Sequence, residues 1–168
     1  MQVLATDRLS LRRLDLDDAA IVLKLLNEPS WLRFIGDKGV RDLDGARDYL
    51  RSGPLEMYSR LGFGLFLVEL KDGGQAIGMC GLIKRDTLPD VDIGYAFFPE
   101  YWGRGYAIEA AAAVLAYGHH THGLSRIVAI VSPDNDSSVR VLEKAGMKFE
   151  RMVALAAQDE VKLFAKDY

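Results

Sequence analysis

Residues 98–110 read FPEYWGRGYAIEA. An apolar run, Val91 to Phe98, leads into them, and an alanine-rich run, Ala107 to Ala116, leads out. Between the two, Gly103 and Gly105 sit one residue apart. A strand, a glycine turn and a helix in that order make an anion site. The first helical N–H groups lack intrahelical partners and carry partial positive charge. Glycines let a phosphate reach those groups with no Cβ in the way. Three phosphate loops share this outline. The nucleotide P-loop needs Gly-Lys-Ser/Thr, which GRGYAIE lacks. The dinucleotide fingerprint needs a small residue where Ile108 stands. The coenzyme A pyrophosphate pattern, Gln/Arg-x-x-Gly-x-Gly/Ala, fits at Gly105 and Ala107, with Gly103 as an extra glycine and Trp102 replacing its first residue. Taken alone, the loop reads equally as a plain strand-to-helix turn.

A second constellation lies in SPDNDSSVRVLEKAGMKF. Asn135, Ser138 and Leu142 are spaced i, i+3 and i+7, so they share one helix face. Asn135 also suits a helix cap, and Ser138 a small packing position. Cys80, in IGMCGL, has no paired base to support an acyl-cysteine relay, and reads as a small core residue. His119 and His122 stand i, i+3 in GHHTHG without a third ligand, and histidines suit the negative end of a helix. No metal is expected.

Composition narrows the partners. The chain of 168 residues suits one domain, is 49% hydrophobic and 27% charged, and carries a net charge of -3. No basic cluster stands out, which argues against nucleic acid. No apolar run is long enough for a bilayer, and the first residues lack a signal peptide's apolar core, so no membrane partner is expected. One cysteine excludes an intramolecular disulfide and fits the cytoplasm. A homodimer is compatible with the sequence.

The elements that must position these residues follow from periodicity and punctuation. Strands are expected at Asp7 to Leu14, Phe63 to Lys71, Gln75 to Lys84, Val91 to Phe98, Arg126 to Ser132, Met147 to Ala156 and Glu160 to Asp167. The last two flank a turn at Gln158-Asp159. Helices are expected at Asp15 to Asn27, across Leu43 to Arg60 with a break near Gly53-Pro54, from Arg104 to His122, and from Asn135 to Ala145. The fold class is therefore α/β (α+β), with a mixed sheet of seven strands and about four helices.

Three blocks in order, TDRLSLRRLDLDDA, DIGYAFFPEYWGRGYAIEA and NDSSVRVLEKAGMKFE, resemble the GCN-five-related N-acetyltransferases (GNAT). Within them they resemble the RimJ/RimL-like ribosomal-protein alanine/serine branch, where Trp102 is usual. The resemblance implies a mostly antiparallel, V-shaped sheet that splays to admit acetyl-CoA. It also implies direct acetyl transfer to a primary amine in a ternary complex.

The resemblance further assigns roles. The backbone of Gly103, Arg104, Gly105, Tyr106 and Ala107 would hold the pyrophosphate. Phe97 and Phe98 would pair with the pantetheine arm, one N–H polarising the thioester carbonyl. Asn135 would bind the arm through its amide. Many members carry a tyrosine where Leu142 stands; this branch places a serine at Ser138, which would donate to the leaving sulfur. Asp92 sits where relatives carry a carboxylate and would serve as a base through water. In DTLPDVD it reads more readily as a solvated strand-end charge. Glu69 is a weaker base candidate. Trp31 and Phe34 fall beside the acceptor groove or in the core. The implied acceptor is a protein or peptide α-amine. Small amines such as polyamines, or a non-catalytic acyl-CoA sensor, are the alternatives.

Overall fold

The computed structural model describes residues 2–155 and 160–168. The expected turn at Gln158-Asp159 lies outside the described residues. Eight strands form one sheet: β1 (Gln2–Ala5), β2 (Leu9–Arg13), β3 (Leu65–Leu70), β4 (Ala76–Ile83), β5 (Asp92–Phe97), β6 (Arg126–Val131), β7 (Lys148–Ala154) and β8 (Glu160–Asp167). Their spatial order is β1-β2-β3-β4-β5-β6-β8-β7. Every neighbouring pair is antiparallel except β5 with β6.

The strand beyond the expected seven is β1. It is four residues long, and a turn closed by the Thr6 N–H to the Leu9 carbonyl (2.9 Å) folds it onto β2. So short an edge strand carries too little alternation to be read in advance.

The helices also outnumber the expected four. Asp15 and Asp18 form a capping box that opens a 3-10 turn at Leu16–Asp18, and α1 (Ala19–Leu26) follows. Glu28-Pro29 ends one helix, as expected, but Pro29 also occupies the first turn of another, α2 (Pro29–Phe34). Proline is tolerated there because the N–H it lacks would have no partner. The expected break at Gly53-Pro54 is a π-helical turn, Arg51–Leu55, between α3 (Leu43–Leu50) and α4 (Glu56–Leu61). The wider turn accommodates Pro54 without ending the helix. α5 (Tyr106–His122) stops at Gly123, whose left-handed φ of 65° serves as the C-cap, and α6 (Asp136–Lys144) follows β6.

The middle strands are buried on both faces, so they read as continuous apolar runs. On one face Phe66, Val68, Cys80 and Leu82 pack with Val114 and Leu115 of α5. On the other, Leu67, Met79 and Phe98 pack with Val22, Leu26 and Leu50 of α1 and α3.

One junction in the sheet is incomplete. β5 pairs with β4 over six residue positions and β6 with β8 over six, but β5 meets β6 only at Asp92↔Val128. Beyond that bridge the two strands diverge into a V. The Phe98 N–H bonds the Ile77 carbonyl at 2.9 Å, which sets the antiparallel alternation. Backbone groups of Gly94, Ala96 and Phe98 therefore turn toward β4, and those of Tyr95 and Phe97 turn into the opening.

Candidate active site

The V encloses a cleft of about 920 Å³. Gly103, Gly105, Tyr106 and Ala107 line one end. Gly103 and Gly105 adopt φ of 75° and 83°, the left-handed region that L side chains rarely enter. Gly105 is the N-cap of α5, and no side chain caps the helix. Its first N–H groups are thus open to an anion. Arg104 contributes backbone only: its carbonyl accepts from Arg8 Nη1 (2.9 Å), and its side chain does not line the cleft.

The sequence reading missed what holds this loop. Arg8 Nε pairs with Glu109 at 2.7 Å, the Arg8 N–H donates to the same carboxylate at 3.0 Å, and the Thr6 hydroxyl donates to it as well. The Arg8 guanidinium lies 4.4 Å from the centre of the Tyr106 ring. Partial burial pushes the Glu109 carboxyl up, but the bonds from Thr6 and Arg8 outweigh it and hold the group below its ordinary value. The β1–β2 turn therefore braces the start of α5. Its signal was Thr6-Asp7-Arg8 at the head of the first block.

Past the loop, Trp102 Nε1 donates to the Phe97 carbonyl at 2.9 Å. Phe97 lines the cleft. Phe98 does not: its N–H belongs to the sheet, and its buried ring sits 4.7 Å from the Lys24 ammonium. Tyr95 takes the second place on the free edge.

On the opposite wall, Asn135 lines the cleft, and its Oδ1 accepts from the Ser138 N–H (3.2 Å) and caps α6, so its amide nitrogen is not used in the cap. Ser138 Oγ lies 2.7 Å from the Tyr95 hydroxyl. Burial pushes the Tyr95 phenol up, so it stays protonated at neutral pH. Tyr95 is a second missed residue. Alternation along β5 places its side chain with Phe97 on the α6 side. Leu142 is fully buried in the core and offers no donor.

The other end of the cleft holds Trp31, Phe34, Lys38, Tyr49, Arg85 and Asp92. Asp92 is 0% exposed, which corrects its reading as a solvated strand-end charge. Burial raises its pKa to about 6, against the pull of Arg85, whose Nε is 3.2 Å from both carboxylate oxygens. Phe34 is tied across the V, its carbonyl accepting from the Ser132 hydroxyl at 3.0 Å. Glu69 lies elsewhere, on β3, paired with Arg12 at 3.1 Å.

The remaining reactive side chains are engaged in structure. Cys80 is fully buried, and desolvation pushes its thiol up. His119 Nδ1 meets the Leu124 carbonyl at 2.9 Å and His122 Nε2 the Tyr117 hydroxyl at 2.8 Å. Among the described residues no three His, Cys, Asp or Glu side chains gather as a metal site. Among them too, no helix is long and apolar enough to cross a membrane.

A splayed sheet with a free strand edge, running into an uncapped glycine-opened helix, defines the acyl-CoA-dependent acyltransferase class. The acetyltransferase (GNAT) domain matches residues 8–148, and the chain belongs to that family: it is an acetyltransferase with acetyl-CoA as donor. It is 32% identical to the protein YkkB of Bacillus subtilis, over 89% of this chain and 87% of that protein. It superposes on an Agrobacterium tumefaciens acetyltransferase with a TM-score of 0.85 at 26% identity, over 100% of this chain and 95% of that one. Two further likenesses show the fold alone. RimL, a ribosomal L7/L12 alpha-N-protein acetyltransferase in complex with coenzyme A, gives 0.84 at 16% identity, over 99% and 98% of the chains. A Vibrio cholerae spermidine N-acetyltransferase in complex with coenzyme A and spermine gives 0.79 at 19%, over 96% of each.

Gly105 needs both its left-handed φ and its bare backbone. Gly105→Val is expected to weaken acetyl-CoA binding at least tenfold, about 1.4 kcal/mol or more, with the far-UV spectrum retained. Calorimetry checks it; unchanged affinity would remove the pyrophosphate role from this loop.

Proposed function

We propose that the chain acetylates α-amines at protein or peptide N-termini, as a RimJ/RimL-like enzyme acting by direct attack in a ternary complex. The observation that carries the reading is the buried Asp92 with a pKa near 6. An α-amine has a pKa of about 7.7–8.0, so passing its proton to Asp92 is uphill by about 2 units, roughly 3 kcal/mol. For a lysine at about 10.4 the gap is about 4.4 units, roughly 6 kcal/mol. This base suits the first and is poorly matched to the second.

Bound acetyl-CoA supplies an activated acyl group with a thiolate as leaving group. The chain's own residues do the rest. The open N–H groups after Gly105 bind the anionic end. The free edge at Tyr95 and Phe97 holds the arm, and an N–H there faces the carbonyl where charge develops. Asn135 adds its amide nitrogen. The Tyr95 hydroxyl holds Ser138 Oγ at 2.7 Å and also reaches the Ser138 carbonyl at 3.2 Å, which fixes the Ser138 hydroxyl as the donor group beside the sulfur. The help needed there is modest, because a thiol of pKa about 8.5 is a tolerable leaving group. Asp92 takes the amine proton through a water. Trp31 and Phe34 form the acceptor wall. The cations Lys38 and Arg85 on that wall disfavour a polyamine.

Product mass spectrometry tests the acceptor. Ser- or Ala-starting peptides are expected to gain acetyl at the α-nitrogen, and an α-blocked peptide containing lysine to gain none. Faster turnover of the blocked peptide or of a polyamine would overturn the reading.

A pH profile tests the base. Below pH 6 both the amine and Asp92 must lose a proton, so log(kcat/KM) should rise with a slope near 2. Between about pH 6 and 8 only the amine remains to titrate, and the slope should be near 1. Asp92→Asn should give a slope near 1 throughout, with a rate lower by on the order of a hundredfold. Persistence of the steeper limb in that variant would assign the base elsewhere.

A further inference from the structure

The acceptor end carries more positive charge than the proposed chemistry uses. Arg85 is matched by Asp92. Arg33, at the rim, meets Asp134 at 3.4 Å. Lys38 also lines the cleft, and it has no carboxylate partner among the described residues. Lys38 is exposed to solvent, and partial desolvation followed by the nearby Arg85 charge lowers its ammonium pKa. Two cations thus share this wall with one buried carboxylate, and that carboxylate must accept a proton during turnover. Once it does, Arg85 and Lys38 both lack a counter-charge. Neutral donors stand beside them. The Tyr49 phenol, raised to about 12 by burial, forms no hydrogen bond to another described residue. Trp31, which also lines the cleft, has a buried Nε1 with no partner among the described residues. Two cations and a phenol on a cleft wall whose one buried carboxylate must take up a proton describe a receptor for an anion.

We propose that the acceptor carries a carboxylate close to its reacting amine, bound by Lys38 and Arg85: an N-terminus followed closely by Asp or Glu. This rests on the N-terminal reading above and names the substrate class within it. The carboxylate replaces the counter-charge that Arg85 loses when Asp92 is protonated, and it favours proton uptake by Asp92 through like-charge repulsion. An acceptor with a second cation meets Lys38 instead and is rejected.

The test uses peptides that differ only at the second residue: Ser-Glu, Ser-Gln and Ser-Lys, with acetyl-CoA and a free-thiol readout. The acidic peptide should exceed its amide isostere at least tenfold in kcat/KM, mostly through KM, and the lysine peptide should be slowest. The preference should shrink as salt rises. Lys38→Gln should reduce the acid-to-amide ratio below threefold, and a ratio still above tenfold would overturn the proposal. Calorimetry of the same peptides with coenzyme A present reads the preference without chemistry. Turnover with no acid preference overturns this proposal and keeps the N-terminal reading. Acid preference in binding with no α-acetylated product overturns the N-terminal reading and, with it, the assignment of this carboxylate site to an N-terminal acceptor. Free glutamate distinguishes the source of the carboxylate, and turnover faster than the Ser-Glu peptide would overturn the peptide assignment.

Discussion

The structure depends on a parallel contact that stops after one bridge. At Asp92↔Val128 the sheet is continuous; one residue pair later it is not. Each strand is paired with its other neighbour over six positions, so each arm of the V is held by its own half of the sheet. The opening leaves the amides of Tyr95 and Phe97 without a strand to pair with. Unpaired backbone in a half-buried cleft is costly unless water or a ligand answers it. Trp102 answers one such group by donating to the Phe97 carbonyl. The chain then runs from that edge directly through Gly103 and Gly105 into α5. A strand edge for an amide-bearing arm and a helix N-terminus for its anionic end are therefore contiguous by topology. The brace from Thr6 and Arg8 to Glu109 fixes the distance between them.

The same bridge positions the base. Asp92 sits buried where the arms meet, paired with Arg85 and with the Lys84 charge nearby. Its native pKa of about 6 lies above the ordinary carboxylate value. The unfolded chain thus releases that proton more readily, and stability falls as pH rises from about 4 to about 6. At neutral pH the fold gives up roughly 3 kcal/mol to keep this carboxylate ionised. Strained electrostatics of this kind concentrate at functional sites.

The sequence made some of this legible. The glycine loop, the Asn135–Ser138 cap and the long apolar runs of β3 to β5 are local signals, and the structure places each where the pattern pointed. What escaped were features set by contacts distant in sequence. The Arg8–Glu109 pair spans 101 residues, and the Tyr95–Ser138 hydroxyl pair spans 43. Burial of Asp92 depends on β4, β6 and Arg85 together, so DTLPDVD reads as an exposed loop when seen alone. The family resemblance assigns Phe98 to the coenzyme arm, whereas strand alternation sends its amide to β4. The short β1 and α2 lie below the length at which periodicity speaks.

The most direct test of the account is amide hydrogen exchange at β5, with and without acetyl-CoA. If the splayed edge holds the coenzyme arm, the Tyr95 and Phe97 amides should exchange at least tenfold more slowly with ligand bound. The Gly94, Ala96 and Phe98 amides, already bonded to β4, should change little beyond any global stabilisation. Equal slowing at all five positions, or none at Tyr95 and Phe97, would contradict the account.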